Sequence, residues 1–196
     1  MYVIIYPVLR GFIMSELLMS YKDLRNSIEL KESGWNNLRS TNCYAFALGL
    51  DIPSGKLMPF GLEYPYNVGV IGGQKYELDY FDLLGLSLEE RLQIDLDALG
   101  IKYEESSQYD IPVSDEHNLN WLIAMYKQKD SSDFHFLRKS SSNYWLHKIG
   151  THGSISNRDS KNYLITDLDK STFVYDYNDE VINYNLEKVY KLSLHR

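Results

Sequence analysis

Cysteine is nearly absent: Cys43 is the only one in 196 residues. A single thiol closes no intrachain disulfide and builds no cysteine-rich zinc site. It is compatible with a reducing compartment. Basic charge is also scarce. Lys and Arg total 20 against 27 Asp and Glu, for a formal net charge of -7, and no basic run concentrates them. Nucleic acids are held largely by cations neutralising phosphates, so this balance argues against a nucleic-acid partner. Long apolar runs are missing too. Tyr2-Val3-Ile4-Ile5-Tyr6-Pro7-Val8-Leu9 is stopped by Arg10, well short of the roughly 20 residues a membrane helix needs. No basic stretch precedes it and no small-residue cleavage site follows, so a standard secretory signal is not expected. The expected location is cytoplasmic, or reached without a standard signal peptide. Met14 is an alternative start, with residues 1–14 an extension outside the core. An N-terminal strand packed on the domain is the competing reading.

What is present suits one soluble domain of 1–196, with 44% hydrophobic and 24% charged residues. Seventeen tyrosines point to aromatic-rich β-structure, or to a groove for peptide or sugar. Leu17, Leu18, Tyr21, Leu24 and Ile28 recur at helical spacing. The polar run from Asn36 to Asn42 leads into Cys43 and the wholly apolar Tyr44–Leu48, a helix that belongs in the middle of a domain. Ser40, Thr41 and Asn42 are candidate caps, and Gly49 ends the helix. Residues 53–76, rich in Gly and Pro, read as a long irregular crossing: a surface connection for most of its length, or, from Pro53 to Gly73, one wall of a cleft with Tyr64 and Tyr66 as candidate substrate contacts.

Ser87 and Glu90 form a capping box for a helix carrying Leu88, Leu92, Leu96 and Leu99, with Gly100 at its end. Its acids Glu89, Asp95 and Asp97 read as a solvated face. Trp121–Tyr126 is apolar on both faces, as a central strand is. Phe134–Lys139 and Tyr144–Ile149 read as a hairpin, followed by short strands at Tyr163–Ile165, Thr172–Tyr175, around Ile182 and at Val189–Leu194. The expected fold class is α+β, helices first, then an antiparallel sheet with a helix packed on one face.

A cysteine nucleophile needs a deprotonated thiol, a base and an orienter for that base. Cys43 at a capped helix start is placed to favour its thiolate. His117, His152 and His195 fall in loops or at the end of the chain, whereas His135 and His147 fall inside the hairpin strands. An odd-numbered loop, such as Ser140–Ser142, sets His135 directly opposite His147 on one face. His135 is then the general base and His147 its orienter; the reverse assignment uses Asp133 or Asn143 as helper. The backbone N–H of Cys43 is one oxyanion donor, and Asn36, Asn37 or Asn42 can supply a second. A silent binding domain with Cys43 as a small buried hydrophobe is the second reading. A metal site of His135, His147 and Asp133 is the third, but no ligand-spaced motif supports it.

A cysteine opening a buried helix, then a strand histidine, then a polar residue on the next strand, resembles the papain-like thiol hydrolases. The order Cys43, His135, His147 is similar to the NlpC-type branch, whose third residue is often a histidine. The resemblance covers roughly Asn37 to Gly150. It implies a papain-like domain, a Cys-His-His triad without cofactor, and hydrolysis of an amide or peptide bond through a Cys43 thioester. It implies a peptide or peptidoglycan-like substrate, and Asn37, six residues before the nucleophile, as an oxyanion donor. The flanks depart from wall-cleaving members: Asn42-Cys43-Tyr44-Ala45 stands where Asp-Cys-Ser-Gly is usual, and Phe136-Leu137 follows His135 in place of Val-Gly.

Overall fold

Trp121 to Tyr126 is buried residue for residue, and that run sits in the middle of the sheet. The computed structural model describes residues 24, 41–50, 67–129, 131, 133–150, 153–177 and 180–195. Its strands are β1 (Lys102–Glu105), β2 (Asn118–Gln128), β3 (Phe134–Lys139), β4 (Trp145–Lys148), β5 (Ile155–Ser156), β6 (Phe173–Tyr177) and β7 (Glu180–His195). All pairings are antiparallel, in the order β1-β7-β2-β3-β4-β5, with β6 also paired to β7. Alternation sends Trp121, Ile123 and Met125 into one core and Leu122, Ala124 and Tyr126 into another. A strand with neighbours on both sides and cores on both faces has no polar positions to spare.

The helices are α1 (Cys43–Leu48), α2 (Val70–Lys75), α3 (Tyr80–Gly85) and α4 (Leu88–Leu99). Every residue of α1 is buried. It starts at Asn42, whose side chain accepts the Ala45 N–H at 3.0 Å, and ends at Gly49 in the left-handed region with φ 71°. That conformation lets the Gly49 N–H reach the carbonyls of Ala45 and Phe46. α1 packs on β3 and β4, and Tyr44 meets Phe136 at 5.2 Å between ring centroids. The α+β class and a helix against one sheet face are thus as expected.

Several details differ. The run 53–76, expected to be irregular, contains α2; its residues up to 66 lie outside the described residues. Gly72 looks like a turn signal but meets a packing demand. A Cβ there would lie 2.5 Å from the Ile94 carbonyl carbon and oxygen of α4. α4 has the expected capping box and a left-handed Gly100, but its acids are not one solvated face. Asp95 is fully buried, while Glu89 pairs with Lys188 at 2.7 Å and accepts from Tyr190. β1 and α3 were not anticipated. Tyr163–Ile165 is no strand; among the described residues its one β-bridge is Arg158–Leu164, beside backbone hydrogen bonds that link Ile165 with Trp145 and Asn157. The two short C-terminal runs fuse into β7, a strand of 16 residues with one irregularity opposite Met125 and Tyr126. Of the amphipathic N-terminal segment only Leu24 is described; it is helical and buried. Among the described residues no helix is long and apolar enough to cross a membrane.

Candidate functional site

The hairpin joins the two histidines. His135 Nε2 lies 2.8 Å from His147 Nδ1, with the rings perpendicular. The five residues from Ser140 to Tyr144 link the strands, so the odd count that keeps both imidazoles on one face holds. The register differs from expectation by two. Leu137, not His135, stands opposite His147, and the imidazoles meet along the diagonal.

Hydrogen-bond chemistry assigns their tautomers. His147 Nε2 lies 2.8 Å from the Arg158 carbonyl, which only accepts. His147 therefore carries its proton on Nε2, and its Nδ1 is an acceptor. His135 Nε2 then donates to that Nδ1, which leaves the lone pair of the neutral His135 ring on Nδ1. Both rings are buried, and burial holds both pKa values below the ordinary histidine range. At His135 the charge of His147 adds to the lowering, whereas the Arg158 carbonyl and Asp159 partly oppose it at His147. A carbonyl on a loop thus dictates, through two rings, which nitrogen of His135 can accept a proton.

Cys43 packs apart from this dyad. It belongs to the core shared with Phe136, whereas His135 and His147 share a face with Leu137 and Trp145 on the other side of the sheet. The backbone N–H of Phe136, together with those of Tyr44 and Cys43 itself, bonds toward the sulfur. A thiolate at this position would bear electrostatically on Lys148, Tyr175 and Tyr184. Those tyrosine rings stand 6.2 Å and 5.6 Å from the His135 ring. The sulfur and the dyad therefore share neighbours around the start of β3. Among the described residues no hydrogen bond joins the sulfur to either imidazole.

The thiol itself departs from expectation. Burial pushes Cys43 up to about 12, and the nearby Asp133 charge adds to this, against the lowering by the backbone N–H groups. The resting group is a neutral thiol. A six-residue helix start does not offset loss of water around a side chain only 6% exposed.

Three aromatics that sequence reasoning did not assign to the site enclose His135. Phe173 lies 5.5 Å and Tyr184 5.6 Å from its ring, with Tyr175 slightly farther at 6.2 Å. Tyr184 donates its hydroxyl proton to Asp133 at 2.5 Å, so Asp133 orients a wall residue rather than a histidine. These aromatics come from β6 and the start of β7, far along the chain, and no local spacing marks them as site residues. Asn36, Asn37, Tyr64 and Tyr66 lie outside the described residues. His195 is exposed at the end of β7, His117 sits in an exposed bend, and Asn42 acts as the cap of α1. Among the described residues no three of His, Cys, Asp and Glu gather as a metal-binding group.

A second buried polar centre lies beneath α1. The Asp95 carboxylate accepts from the Tyr44 hydroxyl at 2.5 Å and from the N–H groups of Gly69 and Gly72 at 2.6 Å each. It ties the residue after Cys43 to α2 and α4. Burial nevertheless raises its pKa to about 6, outweighing all these donors. Comparison with family models, with curated proteins and with solved structures finds no match to this chain.

Proposed function

We propose that the protein is a thiol hydrolase of papain-like type, with Cys43 as nucleophile, His135 as general base and His147 as orienter. The hydrogen-bonded dyad carries this reading, because it leaves the His135 lone pair on Nδ1, the nitrogen His147 does not use. The substrate is an amide or peptide bond, and cell-wall peptide is the class the family resemblance suggests. As substrate enters, Sγ bonds to the carbonyl carbon while its proton passes to His135 Nδ1. The same proton is then given to the leaving amine, and a thioester remains on Cys43. Water attacks the thioester next, giving a proton to His135; the Sγ–C bond breaks, the acid leaves, and His135 returns the proton to the Cys43 sulfur. In this reading the backbone N–H of Cys43 is one candidate oxyanion donor and Asn37 the second.

Intact-mass analysis after exposure to p-nitrophenyl acetate and to wall-derived peptides tests this. The expected result is one acyl group on the wild type and none on Cys43→Ala or His135→Ala. Acylation that persists at Cys43 in His135→Ala rejects the assigned base. The second reading, a silent peptide- or glycan-binding domain on a papain-like scaffold, is favoured by the buried thiol held at about 12. It predicts that Cys43 reacts only once urea unfolds the chain.

A further inference from the structure

Tyr175 is the site residue with an unused polar group. Its hydroxyl oxygen is buried and has no hydrogen-bond partner among the described residues. Buried hydroxyls without partners are uncommon and costly in folded proteins, so each calls for an explanation. This one sits beside the dyad. Its ring is 6.2 Å from His135 and 6.2 Å from Tyr184, on a strand paired to β7 whose Phe173 packs against His147 at 5.4 Å. Tyr184 has already committed its own hydroxyl to Asp133. The Tyr175 phenol alone is left over.

We propose that the Tyr175 hydroxyl is a catalytic hydrogen-bond donor to the substrate carbonyl oxygen in the Cys43 site. The assignment rests on the thiol-hydrolase reading above. Burial, with the Asp159 charge adding to it, raises the phenol to about 12. It therefore keeps its proton at neutral pH and remains a donor. In the acylation step the Cys43 sulfur bonds to the carbonyl carbon and the thiol proton goes to His135 Nδ1. The carbonyl π pair moves onto oxygen, where Tyr175 and the Cys43 N–H donate to it. Collapse returns that pair to the carbon–oxygen bond and expels the leaving group. The hydroxyl is thus satisfied only when an acyl oxygen occupies the site. That is interaction energy reserved for the reacting complex.

The test is Tyr175→Phe, read with two electrophiles and a melt. p-Nitrophenyl acetate passes through an oxyanion, whereas iodoacetamide alkylates sulfur at a saturated carbon and forms none. Acetylation of Cys43 is expected to slow about 10²–10³-fold, the effect of losing one oxyanion donor. Alkylation at the same pH is expected to be unchanged. The melting temperature is expected to be equal or higher, since the variant buries no orphaned hydroxyl. Equal acetylation of variant and wild type overturns the assignment while leaving the hydrolase reading intact. Parallel slowing of alkylation overturns it too, because the hydroxyl would then act on the thiol. A wild type that the ester does not acetylate at Cys43 overturns both readings together.

Discussion

Asp95 sets two large effects against each other, and its replacement measures which one wins. Three donors point at the carboxylate, from Tyr44, Gly69 and Gly72, and hydrogen bonds of this kind favour the ionised form. The side chain is fully buried, which disfavours it, and burial prevails: the group is raised to about 6. In an unfolded chain an aspartate titrates near about 3.9, so the displacement is worth about 3 kcal/mol. The sign follows from proton binding. Between these two values the folded protein holds more protons than the unfolded chain. Stability therefore falls as pH rises from about 4 to about 6, and the contribution is level above that. Urea unfolding of wild type and Asp95→Asn at intervals from pH about 4.5 to about 7.5 isolates this carboxyl, because the buried histidines are present in both proteins and cancel in the difference. Between pH about 4.5 and about 7.5 the wild type is expected to lose about 2 kcal/mol of this relative to the variant. The amide keeps an acceptor but turns an N–H donor toward the glycine N–H groups, an offset that does not vary with pH. A pH-independent difference would show that burial and donors cancel. A difference growing in favour of the wild type as pH rises would refute the reasoning, because the three hydrogen bonds would then outweigh desolvation.

Two further outcomes follow from the geometry. His147→Asn can accept from His135 Nε2–H and donate to the Arg158 carbonyl, so it is expected to keep acetylation of Cys43, whereas His147→Leu frees the His135 tautomer and is expected to slow it about 10²–10⁴-fold; equal rates in the two variants remove His147 from the mechanism. Gly72→Ala drives a Cβ against the Ile94 backbone and is expected to cost about 1–3 kcal/mol, while Gly85→Ala, with nothing within 4 Å, is expected to be neutral or to stabilise slightly, as compared by urea midpoints.

Short-range patterns in the chain carried much of this structure. Asn42 and Gly49 bracket α1 and the Ser87–Glu90 box opens α4, because a cap needs only residues within one turn. Phe134–Lys139 forms a strand with the expected bounds. The loop parity puts both histidines on one face because the side-chain period of a strand is two. Register beyond parity is not local, since a hairpin slipped by two keeps every face and changes only which residues stand opposite. Tertiary contacts likewise decided that Asp95, on a helix whose other acids reach solvent, is buried, because α2 and Tyr44 close over it. They decided that Gly72 is a packing residue, since the demand comes from a different helix.

The site divides along the same line. Its nucleophile candidate and both histidines are legible from residue type, cap and spacing. The sequence pattern also placed a thiolate at Cys43, where the fold instead leaves a neutral thiol, since a helix start is a local feature but desolvation is a property of everything packed around it. Tyr175, Tyr184 and Phe173 reach His135 only because β6 folds back along β7 after more than thirty residues of intervening chain. Sequence by itself determined which reactive residue types are present and which elements carry them. The tertiary structure decided their protonation, their tautomers and their aromatic surroundings, because each of these depends on atoms brought close by folding rather than by order along the chain.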